Sequence, residues 1–149
     1  MIPTPPITAF HGPHAFLSNF AASPVLLDGQ TYPTVEHAFQ AAKTFDPEQR
    51  RLIQDANTPA TAKRLGRGVT LRADWEQVKF DIMRGLLQQK FAQADLRQAL
   101  LETGEAELIE GNTWNDRAWG RVLVKGQWIG KNWLGELLME VRREAKDEG

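Results

Sequence analysis

The 149-residue chain contains no cysteine, which excludes a disulfide framework, a thiolate-ligated zinc or iron–sulfur centre and thiol catalysis. It also lacks any uninterrupted apolar run near the roughly 20 residues that a membrane helix needs. The opening stretch, MIPTPPITAF, has neither the basic start nor the apolar core of a signal peptide, so a cytoplasmic protein without membrane association is expected. Net charge is nearly absent: 18 Lys and Arg against 19 Asp and Glu leave −1, too little to hold nucleic acid by bulk charge alone. With no internal repeat, low-complexity tract or Gly/Ser linker, one domain over residues 1–149 is expected, with an irregular segment at 1–9. Tyrosine occurs once. Tryptophan, by contrast, occurs five times, four of them between residues 114 and 133.

Charge is unevenly placed. Residues 50–72 carry six basic side chains (Arg50, Arg51, Lys63, Arg64, Arg67, Arg72) against Asp55 alone, a net of +5 that leaves −6 for the remainder. Such a region suits either a phosphate-bearing ligand or a solvated helical face. The pattern of apolar residues predicts a mostly helical protein. Residues 20–33 read as short extended pieces around an Asp28-Gly29 turn. Thr34 is placed to cap a helix over 35–45, Asp46-Pro47 to start a second, and Thr58-Pro59 a third that Gly66 and Gly68 close. The longest helix is expected from about 74 to 92, a shorter one over 95–102 and the last over about 134–145. Between them, 107–112 reads as a strand and 113–131 as a Gly- and Trp-rich loop with a hairpin.

Three constellations carry chemistry. On the first helix, Val35, Ala38, Phe39, Ala42 and Phe45 form an apolar arc, with Glu36, Gln40 and Lys43 in a stripe at its edge. Glu36 and Lys43 stand about 10 Å apart along the axis. That is too far for an i,i+4 ion pair, yet both reach one cleft, where a carboxylate and an amine supply acid/base and nucleophilic groups. The bland reading is a solvated polar stripe. On the long helix, Lys79 and Lys90 fall on the apolar face, where lysines ordinarily snorkel to water and otherwise hold an anion. In the segment Asn112 to Gly120, Asn and Asp side chains favour tight turns, and Trp119 offers a flat ring that stacks on bases or fills a core. His11, His14 and His37 show no metal-ligand spacing, and Gly66-Arg67-Gly68 lacks the lysine and hydroxyl of a P-loop. No metal and no cofactor are expected.

Several ordered motifs together resemble the NADAR family, the YbiA-like group associated with NAD and ADP-ribose. They are Phe16-Leu17-Ser18-Asn19-Phe20, then Asp28-Gly29, then Pro33 through Lys43 with its E-H-x-x-Q-x-x-K core. Trp75 to Lys79, Met83, Lys90-Phe91 and Asn115-Asp116-Arg117-Ala118-Trp119-Gly120 follow. Gly130 through Gly135, Leu137-Leu138-Met139 and Arg142 complete the set, which spans about residues 10–144. The resemblance implies a mostly α, single compact YbiA-like helical domain with a few short antiparallel strands. It also implies an N-glycosidase, a hydrolase of N-glycosyl bonds, in which Lys43 forms a Schiff base with the ring-opened ribose. Glu36 would shuttle protons, and Asp116 would position a ribose hydroxyl or assist that transfer. Ser18, Asn19, Phe20, Gln40, Lys79, Gly120 and Asn132 would contact substrate, Trp119 would stack on the base or wall the cleft, and Arg67 would bind phosphate.

Two substrate types follow from the resemblance: ADP-ribose on guanine bases in DNA, and the phosphorylated ribosylamine intermediates of riboflavin biosynthesis. The +5 segment favours the first, and the antitoxin role that goes with it implies a cognate ADP-ribosyltransferase toxin encoded nearby. A non-catalytic ADP-ribose or NAD-binding module is the rival class. One departure from the family bears on substrate choice. Where many relatives are glycine-rich, residues 121–129 here alternate apolar and polar side chains, which predicts an ordered hairpin.

Overall fold

The computed structural model describes residues 4–149. The chain divides into two compact units, Asn19–Ala92 and a second built from the stretch ending at Ser18 together with Gln93–Gly149.

The first unit is organised around α1 (Val35–Ala42). Thr34 caps it, its hydroxyl accepting the His37 N–H, and all eight residues are buried. Ala38, Ala41 and Ala42 let neighbours approach closely, and α1 packs against α2 (Pro47–Gln54), α3 (Pro59–Gly66), α4 (Trp75–Lys90) and the hairpin β1–β2 (Val25–Leu27, Gln30–Tyr32). Proline at the first helical turn starts α2 and α3, where no N–H partner is needed. Asp46 and Thr58 accept the free N–H groups behind them. The hairpin turns on Asp28 and Gly29, both at positive φ (48° and 82°), and Arg50 of α2 clasps Asp28 at 2.7 Å. Phe39 of α1 meets Trp75 of α4 at 5.0 Å between ring centres.

Helix α1 stops three residues short of the expected 45. The Lys43 carbonyl is taken by the Arg72 N–H at 2.7 Å, and Thr44 turns its hydroxyl to Gln49 and the Asp46 N–H. Phe45 therefore leaves the apolar arc; it is 64% exposed, beneath the Arg72 guanidinium at 4.1 Å.

In the second unit a 3-10 helix (Gly12–Leu17), which the sequence did not announce, precedes α5 (Ala94–Glu102), β3 (Gly111–Asn112), β4 (Arg121–Val124), β5 (Gln127–Ile129) and α6 (Trp133–Glu148). α5 packs on α6, and Leu100, Leu108, Ile109, Leu134, Leu137, Leu138 and Val141 are buried. The hairpin expected within 121–129 is present, turning at Lys125-Gly126. The strand expected over 107–112 shrinks to its last two residues, while Leu108 makes a lone parallel bridge to Ile7. The strands pair antiparallel except for β3 with β4, which is parallel. Among the described residues, no helix is long and apolar enough to cross a membrane.

Candidate active site

One turn of helix separates each of Glu36, Gln40 and Lys43, so the sequence stripe becomes a row at the edge of a buried helix. Asn19, where the chain enters the first unit, is tied to the head of that row: its carbonyl accepts the Glu36 N–H at 3.1 Å. Glu36 is only 8% exposed, and burial raises its pKa above the usual carboxylate value. The Gln40 amide, donating to Oε2 at 2.6 Å, and the charges of Lys63, Lys43 and His37 pull it partly back. Lys43, the half-buried C-cap of α1, is shifted the opposite way. Burial lowers its pKa, Glu36 opposes that, and Lys63 and Arg67 reinforce it. A carboxyl shifted toward its protonated form and an amine shifted toward its neutral form thus act on each other, the chemistry that a proton donor and a nucleophile require.

The pair is supported by acceptors with work left to do. The Asn19 side chain is buried, its amide nitrogen contacts Met83 Sδ at 3.7 Å, and its Oδ1 has no hydrogen-bond partner. A buried acceptor left unmade costs about 1–3 kcal/mol, so a ligand hydroxyl or N–H is the natural complement. His37 is spent on structure. Its Nδ1 meets Thr34 Oγ1 at 2.8 Å and its Nε2 the Ala56 carbonyl at 3.0 Å, pinning the helix cap to the turn after α2. Among the described residues no cluster of three His, Asp or Glu suited to a metal is present. A hollow of about 350 Å³ opens beside α2 and α3, lined by Leu52, Ile53, Arg64, Leu65 and Val69 among others, but it holds neither Glu36 nor Lys43.

In the second unit, Asn112 organises the loop 113–120. Its side chain accepts the Asp116 N–H at 2.9 Å and donates to the carbonyls of Asp116 and Arg121. Asp116 Oδ1 accepts the N–H groups of Ala118 and Trp119 at 3.0 and 2.9 Å, and Trp119 sits edge-on to Trp133 at 5.3 Å. Gly120 has no room for a Cβ, which would fall 2.3 Å from the Glu110 carbonyl oxygen.

Residues 8–146 match the NADAR domain. The chain belongs to the NADAR family. It is 48% identical over 134 residues to "N-glycosidase YbiA" of Escherichia coli (strain K12), an alignment covering 88% of this chain and 81% of that one. The NMR structure of the E. coli protein YbiA superimposes with a TM-score of 0.82 at 42% identity, over 99% of this chain and 89% of the other. A more distant relative, "Riboflavin biosynthesis protein VVA0006" of Vibrio vulnificus (strain YJ016), is 35% identical over 137 residues; the match takes in 90% of this chain but 36% of that protein.

Of the residues that the NADAR resemblance singled out, the first unit brings Asn19, Glu36, Gln40 and Lys43 together and adds the charges of Lys63 and Arg67. Lys63 was visible only as one charge in a basic stretch; its spacing of four from Arg67 on α3 is what could have singled it out. Lys79 pairs with Glu76 on its own helix, and Phe20 is exposed. Lys90, expected to snorkel, is fully buried, with its ammonium 5.2 Å from the Phe91 ring centre. In the second unit Ser18 ends the 3-10 helix. Asn132, expected to meet substrate, is fully buried and spends its amide on the backbone, accepting from Glu110 N–H and donating to the Leu108 carbonyl. Asn112, which opened the segment read for tight turns but was given no role of its own, is the organiser of its loop.

Proposed function

We propose that this NADAR-family N-glycosidase removes ADP-ribose from guanine bases in DNA through a Schiff base on Lys43. The observation that carries the reading is the placement of Glu36 and Lys43 on one edge of a buried helix, where burial raises the pKa of the carboxyl and lowers that of the amine, the directions that suit a proton donor and a nucleophile. The ribose C1–O4 bond opens as Glu36 gives the ring oxygen a proton, leaving an iminium between C1 and the base nitrogen. The neutral Lys43 amine adds to C1 and passes the proton it must shed to the Glu36 carboxylate. The C1–base bond then breaks as Glu36 delivers a proton to the departing nitrogen, leaving C1 doubly bonded to Nζ. Water, deprotonated by Glu36, adds to C1 and expels the Lys43 amine, and the released aldehyde recloses as free ADP-ribose. Asn19 Oδ1 would accept from a ribose hydroxyl, and Lys63 and Arg67 would meet phosphate.

A second reading is hydrolysis of phosphorylated ribosylamine intermediates of riboflavin biosynthesis, favoured by the riboflavin-related relative. Side-by-side incubation with ADP-ribosylated DNA and with those intermediates decides between them: free guanine base in the DNA is expected to reappear faster than the intermediates are cleaved, and the reverse order replaces the first reading with the second. Borohydride added during turnover should reduce the imine to a stable adduct on Lys43. Binding without base release by the wild-type protein would mark a non-catalytic module instead.

A further inference from the structure

We propose that Gly66 is a positioning residue for the Glu36 carboxyl: lacking a side chain, it leaves the space in which α3 holds the Gln40 amide nitrogen-first against Glu36. The proposal rests on the reading of Glu36 as the proton-transfer group, and it begins with a glycine whose presence backbone conformation does not explain. Gly66 is the last residue of α3, buried and at negative φ, where any L residue fits and alanine is the better helix former. Space explains it. A Cβ on Gly66 would fall 1.9 Å from Gln40 Oε1 and 2.7 Å from its Cδ, so the amide occupies the volume a side chain would fill.

The amide is oriented from its two ends. Its nitrogen donates to Glu36 Oε2 at 2.6 Å, and its oxygen, buried and without a hydrogen-bond partner, lies against Gly66. Turned the other way, it would set an oxygen against a carboxylate oxygen, a repulsion relieved only when Glu36 carries a proton. An unpartnered buried oxygen is a cost that a free amide would avoid by turning or withdrawing. Turning is opposed by that repulsion, and the volume over Gly66 is where the oxygen is accommodated. Donation from Gln40 favours the ionised carboxylate and so works against burial. The charged and titratable groups acting alongside it are Lys63 from α3, and Lys43 and His37 from the α1 stretch. Removing the amide contact therefore has a defined sign: the Glu36 titration moves upward.

The clash in Gly66→Ala is with the far end of a flexible side chain, so the amide is displaced before the helix is. The test is a titration of the Glu36 side-chain carboxyl by carbon-13 NMR in the full chain, assigned with Glu36→Gln. It compares wild type, Gly66→Ala, Gln40→Met and the double variant. Both single variants are expected to raise the Glu36 midpoint, and the double variant to raise it no further than Gln40→Met alone. The limb of the base-release pH profile that follows Glu36 moves with it. A midpoint unchanged in Gly66→Ala, or raised as much by Gly66→Ala in the Gln40→Met background as in wild type, overturns the proposal. If Gly66→Ala alone does not fold, Gly66→Ala/Gln40→Ala, which vacates the amide's volume, is expected to recover the helical circular dichroism; failure to recover it also overturns the proposal. The midpoint is read without substrate, so a protein that cleaves no glycoside would end the functional reading and leave this result standing.

Discussion

Glu36, Lys43 and Lys90 of the first unit are ionisable side chains drawn wholly or partly out of water. The first two act on each other, and the proposed mechanism gives each a part. Replacing Lys43 with Ala removes the proposed nucleophile, and base release with borohydride trapping is expected to fall to background while the fold persists. Glu36→Gln keeps the shape but not the proton, and a loss of about 10²- to 10⁴-fold in kcat is expected of a general acid–base group. Lys90 has no such use. Burial lowers its pKa to about 8. The unfolded chain holds that proton up to about 10.4, so between those values the unfolded state binds more protons and stability rises with pH. Below pH 8 the penalty is present in full. Lys90→Met is accordingly expected to stabilise the protein at pH 7, by on the order of 2–3 kcal/mol, and to flatten the rise in denaturation midpoint between pH 8 and 10. A wild-type midpoint that did not rise relative to Lys90→Met over that range would contradict it.

At the scale of elements, α1 depends on a single hydroxyl. Thr34 caps the helix and also meets His37, so Thr34→Ala is expected to cost about 1–3 kcal/mol in chemical denaturation, more than an exposed cap would. The loop 113–120 offers a cleaner separation of charge from shape. Asp116→Asn retains an oxygen for the Ala118 and Trp119 N–H groups, so a fall in kcat without a fall in stability would assign the negative charge a part in the reaction. Both helix starts and turns were legible because they are written locally. Asp28-Gly29 has the residues that a positive-φ turn favours, and Thr34, Asp46 and Thr58 cap where a short acceptor precedes an apolar face. What was not legible depends on distant partners. Nothing near Phe45 says that Arg72 will take the Lys43 carbonyl and end α1 early, and nothing near Lys90 says that its ammonium will be enclosed rather than reach water. The acid/base row was readable from its spacing. The role of Gly66 was not, because its contact is with a residue 26 positions earlier on another helix.

Across the whole molecule, the charge argument for a nucleic-acid substrate becomes narrower than the +5 segment suggested. Arg50, Arg51 and Arg72 each face an acid, at Asp28, Asp55 and Asp74. The other cations of that segment are Lys63 and Arg64 of α3 and its C-cap Arg67. Phosphate contact by all three implies that KM for ADP-ribosylated DNA rises on the order of 20-fold (single strand) to 40-fold (duplex) between 50 and 200 mM salt. A small ribosylamine phosphate should respond far less, and equal salt dependence for both would remove α3 from the account. The burial of all eight residues of α1 has a different consequence. Its amide hydrogens are screened from solvent, so they should exchange only when the surrounding unit opens cooperatively. The reactive row is then among the last parts of the protein to loosen, and heat inactivation should coincide with the unfolding of that unit instead of preceding it.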